Sequence, residues 1–412
     1  MIIPITDDVD EIVSIGKVLY EENQFIYTLP LKNWMFDTIK INGISKTSED
    51  VYDIFYTSIY DYCIYGIRLN EWFEDSFYKK SHAEKLSLVE KRQKRFLLKE
   101  AESKFASNEF LHGSFEDYKC ALESYVVSFS EYMWQYNFWE RSDIERQSFI
   151  SRFSALQLYR RLVLPDIKDL FTNKIRFLNE FKNFVHREYM LVNDHSYEEF
   201  TTFVRLHDCI AKPLASSCGV GIFKVYSITP ELELKNLYTR LKSENYLLEE
   251  CIHNSAVIEA FHPQSLNTIR VVTLSNNDKV VIFGSFIRVG VHGNVIDNAH
   301  AGGIFAQINV ETGLIESDGI DTNGNMYPVH PDTGIRFKGF KIPLWKQIKV
   351  CCERACRQYS GIHIAGWDIA LLPDNEIEIV EGNYGPDFDV MQSPLKVGVR
   401  DELTNLVNKL FN

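Results

Sequence analysis

Two textures of apolar patterning divide the chain. From about Asp8 to Pro165, apolar and aromatic residues recur at spacings of three and four with few Gly or Pro between them, as across Val51–Tyr62, which is the period of an amphipathic helix. The spacing predicts a mainly helical amino-terminal region with one helix over Glu84–Phe105. After Pro165 the apolar runs shorten, become rich in Val and Ile, and are separated by Gly, Asn, Asp and Pro, the marks of strands and tight turns. Strands are predicted over Thr201–Lys212, Gly221–Val225, Tyr246–Glu250, Ile269–Leu274, Val280–Val289, Gly303–Asn309, Gly366–Leu371 and Glu376–Glu381. Helices are predicted over Asn173–Phe184, Ile228–Ser243, Leu344–Tyr359 and Asp401–Phe411. Strands mixed with a few helices and many hairpin turns indicate an α+β fold rather than a regular doubly wound sheet. No internal repeat or low-complexity linker interrupts the pattern.

With 412 residues, 45% hydrophobic and 25% charged, the chain can bury a large core spread over two or three lobes. Aromatic residues reach 13%, with 28 Phe and 21 Tyr, an excess that favours helix packing over a carbohydrate-contacting surface. The net charge of −13 argues against nucleic-acid binding, which needs a basic footprint. No basic segment followed by an apolar one opens the chain, and no apolar run approaches the roughly 20 residues that span a bilayer; a cytoplasmic protein without a transmembrane segment is expected. Eight Cys residues form no CxxC pair, as in a reduced compartment. Cys351, Cys352 and Cys356 share helical spacing with Leu344, Ile348 and Ala355 and are expected to be core thiols rather than metal ligands. The basic run Lys91–Arg95 reads as a solvated helix face, with Glu90 placed to pair with Lys94.

Three stretches carry chemistry. Between Gly366 and Asp387 lies a hairpin, with strands Trp367–Leu371 and Ile377–Glu381 around a turn at Pro373–Asn375. Pairing them sets Asp368 near Glu381 and Asn383, three hard oxygen donors of the kind magnesium takes; charged closure of an ordinary hairpin is the alternative. In the second stretch, a strand ending at Lys212 leads into a small-residue loop with Ser216, Ser217, Gly219 and Gly221, and then into another strand. Such a flap can wrap phosphate oxygens with backbone amides while Lys212 neutralises them, or it is a plain glycine hairpin. It is neither a P-loop nor a dinucleotide fingerprint, because no Gly-Lys-Ser/Thr closes it and Lys224 stands where a third glycine would be needed. The third stretch, Tyr246–Ile252, is an apolar strand running into Glu249, Glu250, Cys251 and Ile252, an edge that suits a purine.

In this order the three stretches resemble the ATP-grasp superfamily. The resemblance adds the segment beginning at Asn173 as the early helix whose lysine, Lys174, reaches the nucleotide phosphates. It makes Lys212 the second phosphate lysine, Ser216–Gly221 the loop over the phosphates, Glu249–Ile252 the linker that receives adenine, and Asp368, Glu381 and Asn383 the magnesium ligands. His262–Thr273 and Gly366–Ala370, with the Glu-Gly-Asn at Glu381–Asn383, look like the sugar-transfer-associated ATP-grasp proteins. Arg288–Gly303 is similar to a stretch of the ligases that add glutamate to a ribosomal protein. The likeness runs from about Asp166 to Arg400. It implies two α+β lobes clasping ATP, a small lobe over residues 166–252 and a large lobe over 253–412 with the metal and acceptor sites, preceded by the helical region 1–165. Two departures stand out. D-alanine ligases have an arginine where this chain has Gly366, so Arg270 or Arg288 would have to supply that charge; and the ribose-binding acid is open between His253 and Glu259.

The activity implied is ATP- and magnesium-dependent ligation, with manganese as an alternative ion. A carboxylate would be activated as an acyl phosphate and joined to an amine or hydroxyl. Arg270 and Arg288 would steady the acyl phosphate, with Asn298 and His300 near the acceptor and His300 taking its proton. The implied partners are a small-molecule carboxylate and an amine, sugar-linked in cell-surface glycan or peptide-conjugate synthesis, and self-association is left open. A phosphotransferase acting on a sugar hydroxyl and a non-catalytic nucleotide-binding scaffold are the competing readings.

Overall fold

The computed structural model describes residues 82–107, 111–214, 221–276, 278–292 and 302–411. The helix expected over Val51–Tyr62 lies outside them. The chain forms two compact units, Met1–Ser107 and Asn108–Asn412. In the first, the helix His82–Ser107 spans the predicted Glu84–Phe105, and Lys94 Nζ lies 2.9 Å from Glu90, the expected pairing one helical turn apart.

The second unit is built on two antiparallel sheets. The smaller has the strand order β1-β4-β2-β3, with β1 Tyr189–Leu191, β2 Cys209–Pro213, β3 Phe223–Val225 and β4 Tyr246–Glu250. Helices Tyr197–Leu206 and Glu231–Ser243 bury Phe200, Phe203, Val204, Leu234 and Leu241 against Cys209, Ala211, Val225 and Leu248. Here one expectation fails: Thr201–Lys212 is not a single strand. Ser196 and Glu199 form a reciprocal capping box that starts a helix at Tyr197, and only Cys209–Pro213 is strand. Phe200, Phe203 and Val204 follow the helical period of three and four, and that signal outweighs the β-branched content of the segment.

The larger sheet has the order β11-β10-β5-β6-β7-β8-β9. Its strands are β5 Thr268–Ser275, β6 Val280–Val289, β7 Ile304–Gln307, β8 Gly319–Ile320, β9 Met326–Tyr327, β10 Ile364–Leu371 and β11 Ile377–Asn383. Every residue of β5 and β10 is buried, because both faces of the sheet are covered. On one face Ile269, Val271, Ile287, Trp367 and Ile369 pack against Ile348, Cys352 and Ala355 of the helix Trp345–Gln358 and against Phe171, Phe177 and Phe181. The rings of Phe171 and Phe181 meet Trp367 edge-on at 5.5 and 5.4 Å. On the other face Val272, Phe286, Phe305 and Ile364 pack against Tyr159, Phe388, Leu403 and Leu410. Cys352 and Cys356 are buried in the core and Cys351 packs against it, as the spacing predicts.

The β10–β11 hairpin forms as expected and turns at Pro373–Asn375, where Asp374 and Asn375 take the left-handed backbone, φ 61° and 64°, that Asp and Asn tolerate best among residues with a Cβ. Among the described residues no helix is long and apolar enough to cross a membrane.

Candidate active site

Strand alternation places the charged residues of the large sheet together. Ile269, Val271, Ile287, Trp367 and Ile369 point to the core face, so Arg270, Arg288 and Asp368, one position along, point to the opposite face. Register sets Arg270 across from Asp368 and Asp368 across from Glu381, with Gly366 across from Asn383. A lateral row of arginine, aspartate and glutamate therefore crosses three adjacent strands.

Asp368 is fully buried. Arg270 grips it with two nitrogens, Nε on Oδ1 and Nη2 2.9 Å from Oδ2, and Arg288 Nη2 lies 2.8 Å from Oδ2. Arg288 is aimed by Thr268, whose Oγ1 accepts from Nε at 3.1 Å and from Nη2 at 2.8 Å. Burial alone would raise the Asp368 carboxyl, but the charges of the two arginines outweigh it and hold the group far below the usual carboxylate range. Glu381 keeps a solvent-exposed edge; the protein around it and the charge of Asp368 push its carboxyl up. Asn383 Nδ2 is 3.4 Å from both Asp368 and Glu381.

Gly366 explains how Arg270 fits. A Cβ there would sit 3.0 Å from Arg270 Cδ and 3.3 Å from Pro386 Cβ, so the arginine stem occupies the space a side chain at 366 would need. The guanidinium in that space comes from β5, with Arg288 beside it on Asp368. Arg270 Nη1 also lies 3.8 Å from Asp387, just beyond the hairpin, a residue the sequence reading did not single out.

An open cleft lies at the end of the small sheet. Glu249, Glu250, Cys251 and Ile252 line one side, with Ile210, Lys212 and Lys224 beside them and Pro263–Leu266 opposite. His253 and Glu259 both reach it, so the structure leaves both ribose candidates in place. Lys212 Nζ is 2.6 Å from Glu249 Oε2, and Lys174 Nζ donates to the Leu214 carbonyl at 3.2 Å. Burial lowers the Lys174 ammonium and Lys212 lowers it further, while Glu381 and Glu249 act in the opposite direction. Gly221 ends the flap with φ +78°, and its carbonyl accepts from the Tyr246 hydroxyl at 3.1 Å. Ser216, Ser217, Gly219, Asn298 and His300 lie outside the described residues, as do Cys63 and Cys218.

Two supports were not legible as such. Arg187 bonds Glu249 at 2.7 Å and reaches the Glu378 carboxylate and the Val380 carbonyl, the latter at 2.8 Å; a lone arginine in an irregular segment carries no spacing signal. The His262–Asn267 stretch is a polar bracket. His262 Nδ1 lies 2.9 Å from Ser265 Oγ, Ser265 donates to Asn267 Oδ1 at 3.2 Å, and Asn267 Nδ2 binds the Ile258 and His262 carbonyls. It fixes the entry into β5 and hence Arg270.

Asp368, Glu381 and Asn383 bring two carboxylates and an amide together, the donor types a hard cation such as magnesium takes; here Asp368 is engaged by both arginines and Asn383 turns its Nδ2 to the carboxylates, so a cation would have to take the place of some of those contacts. Among the described residues no group of three or more His, Cys, Asp or Glu side chains could hold a metal. A magnesium ion ordinarily completes its shell with ligand oxygens and water.

A protein-family model described as sugar-transfer associated ATP-grasp matches residues 156–408. No curated protein sequence matches the chain. Solved structures to which it is similar include the ATP-grasp ligase PsnB complexed with precursor peptide PsnA2 and AMPPNP, at 15% identity over 65% of this chain and 69% of that one, with a TM-score of 0.39. Another is D-alanyl-alanine synthetase A from Vibrio cholerae O1 biovar eltor, at 13% identity over 58% and 65% of the two chains, TM-score 0.37.

Proposed function

The chain belongs to the sugar-transfer associated ATP-grasp family and has the ATP-grasp fold, and from that premise we propose that it is a ligase that spends ATP to join a carboxylate to an amine. The observation that supports this most is the Arg270–Asp368–Glu381 row across three adjacent strands of the large sheet, in a unit whose small sheet carries Lys212 in a cleft.

In this reading residues 166–252 form the small lobe and 253–412 the large lobe, and ATP lies between them. Adenine rests along Glu249–Ile252. Lys174, Lys212 and the flap from Ser216 and Ser217 to Gly219 and Gly221 take the phosphates, whose crowded charge is the main obstacle to attack by a second anion. Asp368, Glu381 and Asn383 would hold magnesium, which supplies charge neutralisation on the phosphates when bound. A carboxylate oxygen of the first substrate attacks the γ-phosphorus, ADP leaves, and the acyl phosphate rests against Arg270 and Arg288. The acceptor nitrogen then attacks the acyl carbon and phosphate departs. Asn298 and His300 stand near the acceptor, and His300 takes the proton the amine releases.

The sugar-transfer association in the family description favours sugar-linked substrates; our reading is cell-surface glycan synthesis in the cytoplasm, with a uronic acid on a nucleotide carrier as carboxylate and an amino acid as amine. The test is incubation of the purified protein with ATP, magnesium, amino acids and nucleotide-linked uronic acids. A condensed mass with one ADP and one phosphate released per product is the expected result; phosphate retained on the acceptor would make the enzyme a phosphotransferase instead. Asp368→Asn and Glu381→Gln should each stop ADP release in a folded protein, and undiminished turnover in both would sink the metal-ligand assignment.

A further inference from the structure

We propose that Arg187 is a positioning residue for the nucleotide phosphates: it supplies Glu249 with a permanent counter-ion and so makes Lys212 releasable to phosphate. The proposal rests on the ATP reading above, in which Lys212 is a phosphate lysine.

One oxygen of Glu249 holds two cations. Oε2 accepts from Lys212 Nζ at 2.6 Å and from Arg187 Nε at 2.7 Å. The two cations differ in freedom. Arg187, with a side chain 2% exposed, is fastened by its other edge to the Glu378 carboxylate, to the Ile379 carbonyl at 3.3 Å and to the Val380 carbonyl at 2.8 Å. Both border the cleft, but Lys212 is 17% exposed and, among the described residues, has only Glu249 as its ion-pair partner. Phosphate can draw Lys212 away but not Arg187.

The electrostatic consequence follows from burial. Glu249 has a side chain 5% exposed, and a buried carboxylate stripped of every counter-charge is strongly destabilised. Were Lys212 its sole partner, moving Lys212 to a phosphate would bare that charge, and the affinity for phosphate would fall accordingly. With Arg187 in place Glu249 stays compensated whichever way Lys212 turns. Arg187 also ties β4, which carries Glu249, to the stretch of β11 just before Glu381, so the phosphate lysine and the metal-side carboxylate share one fixed frame.

The test removes Arg187 together with Glu378, whose Oε2 is buried without a hydrogen bond, so that no bare charge is left in the core. Binding of ATP and of adenosine, a probe without phosphates, is measured in the full chain by calorimetry for the wild type, Arg187→Gln/Glu378→Gln, and the triple variant that adds Glu249→Gln. In the double variant ATP affinity should fall about tenfold or more, the equivalent of about 1.4 kcal/mol, while adenosine affinity is unchanged. The triple variant, in which Lys212 has no anion to desert, should recover most of the gain in affinity of ATP over adenosine, a ratio that cancels any effect of Glu249 on the adenine they share. Unchanged ATP affinity in the double variant, or no recovery in the triple, overturns the proposal, and so does a parallel loss for adenosine, which would mark a deformed cleft. A wild-type protein that binds adenosine but gains nothing from the phosphates would instead remove the role given to Lys212, and with it this inference.

Discussion

Glu249 makes a sharp test of the charge network, because its carboxyl is fully committed in the folded chain. Burial would raise it, but Arg187 and Lys212 outweigh burial and pull it from the usual 4.5 down to about 2. Each unit of difference between folded and unfolded states is worth about 1.4 kcal/mol, so ionised Glu249 contributes about 3 kcal/mol of stability. The sign is set by the depressed folded value. The contribution is complete above the unfolded value of 4.5 and is lost as pH falls from there towards 2, since the unfolded chain takes up the proton first. Between about pH 4.5 and pH 3 the loss should be about 2 kcal/mol. The assay is urea unfolding followed by tryptophan fluorescence, for the wild type and Glu249→Gln, from neutral pH downwards. The variant starts less stable, because Arg187 and Lys212 lose their shared anion, but its stability should fall less steeply over that window. Parallel pH profiles for the two proteins would refute the assignment of Glu249 as an ionised, doubly paired carboxylate.

Three further outcomes follow from the packing and the site. Gly366→Val places methyl groups where Arg270 passes, 3.0 Å from a Cβ; ADP release should fall at least about tenfold, or about 1.4 kcal/mol of barrier, with ATP affinity retained, and full activity would show that Arg270 is not needed in its observed place. Trp367→Ala empties the space between Phe171 and Phe181 and should destabilise the fold by about 3–5 kcal/mol, read from the urea midpoint; a loss below about 1 kcal/mol would mean that the face is not the tight core described. Chelation with EDTA should abolish ADP release and weaken ATP binding far more than adenosine binding, and equal effects on both ligands would place the cation away from the phosphates.

How much of this was readable in advance depended on whether a signal was local. The hairpin from Trp367 was legible because strand alternation and a Pro-Asp-Asn turn are both written within a few residues, and its pairing put Asp368 across from Glu381 as read. The strands Tyr246–Glu250 and Val280–Val289 were legible to the residue, since each is an apolar run bounded by polar breaks. Thr201–Lys212 was misread because its β-branched residues spoke for a strand while the Ser196 and Glu199 pair, which decides the matter, lies outside the window. Arg187 was invisible for a different reason. Its partners Glu249 and Glu378 stand 62 and 191 residues away, and nothing in the local pattern announces a contact made by two sheets meeting. Arg270 and Arg288 were read as acting near one acyl phosphate, and strand register brings both to one carboxylate, Asp368.

The balance of charge around the cleft explains why these long-range pairings matter. Among the described residues, the cations Lys174, Lys212, Lys224, Arg187, Arg270 and Arg288 are accompanied by Glu249, Glu250, Glu259, Glu378, Asp368, Glu381 and Asp387. A site that only had to attract phosphate would leave its cations in excess, because attraction is strongest where positive charge is unbalanced. Here each arginine is instead matched by carboxylates that hold it rigidly and out of water. Such preorganised groups gain little from a ground-state anion, and their advantage appears when new negative charge develops where they already point. The lysines differ, since Lys212 is the more exposed member of its pair with Glu249 and can be exchanged towards a ligand. The arginines at Asp368 therefore suit the charge of a reacting group, and the lysines suit the binding of a nucleotide, a division of labour that follows from how deeply each is buried.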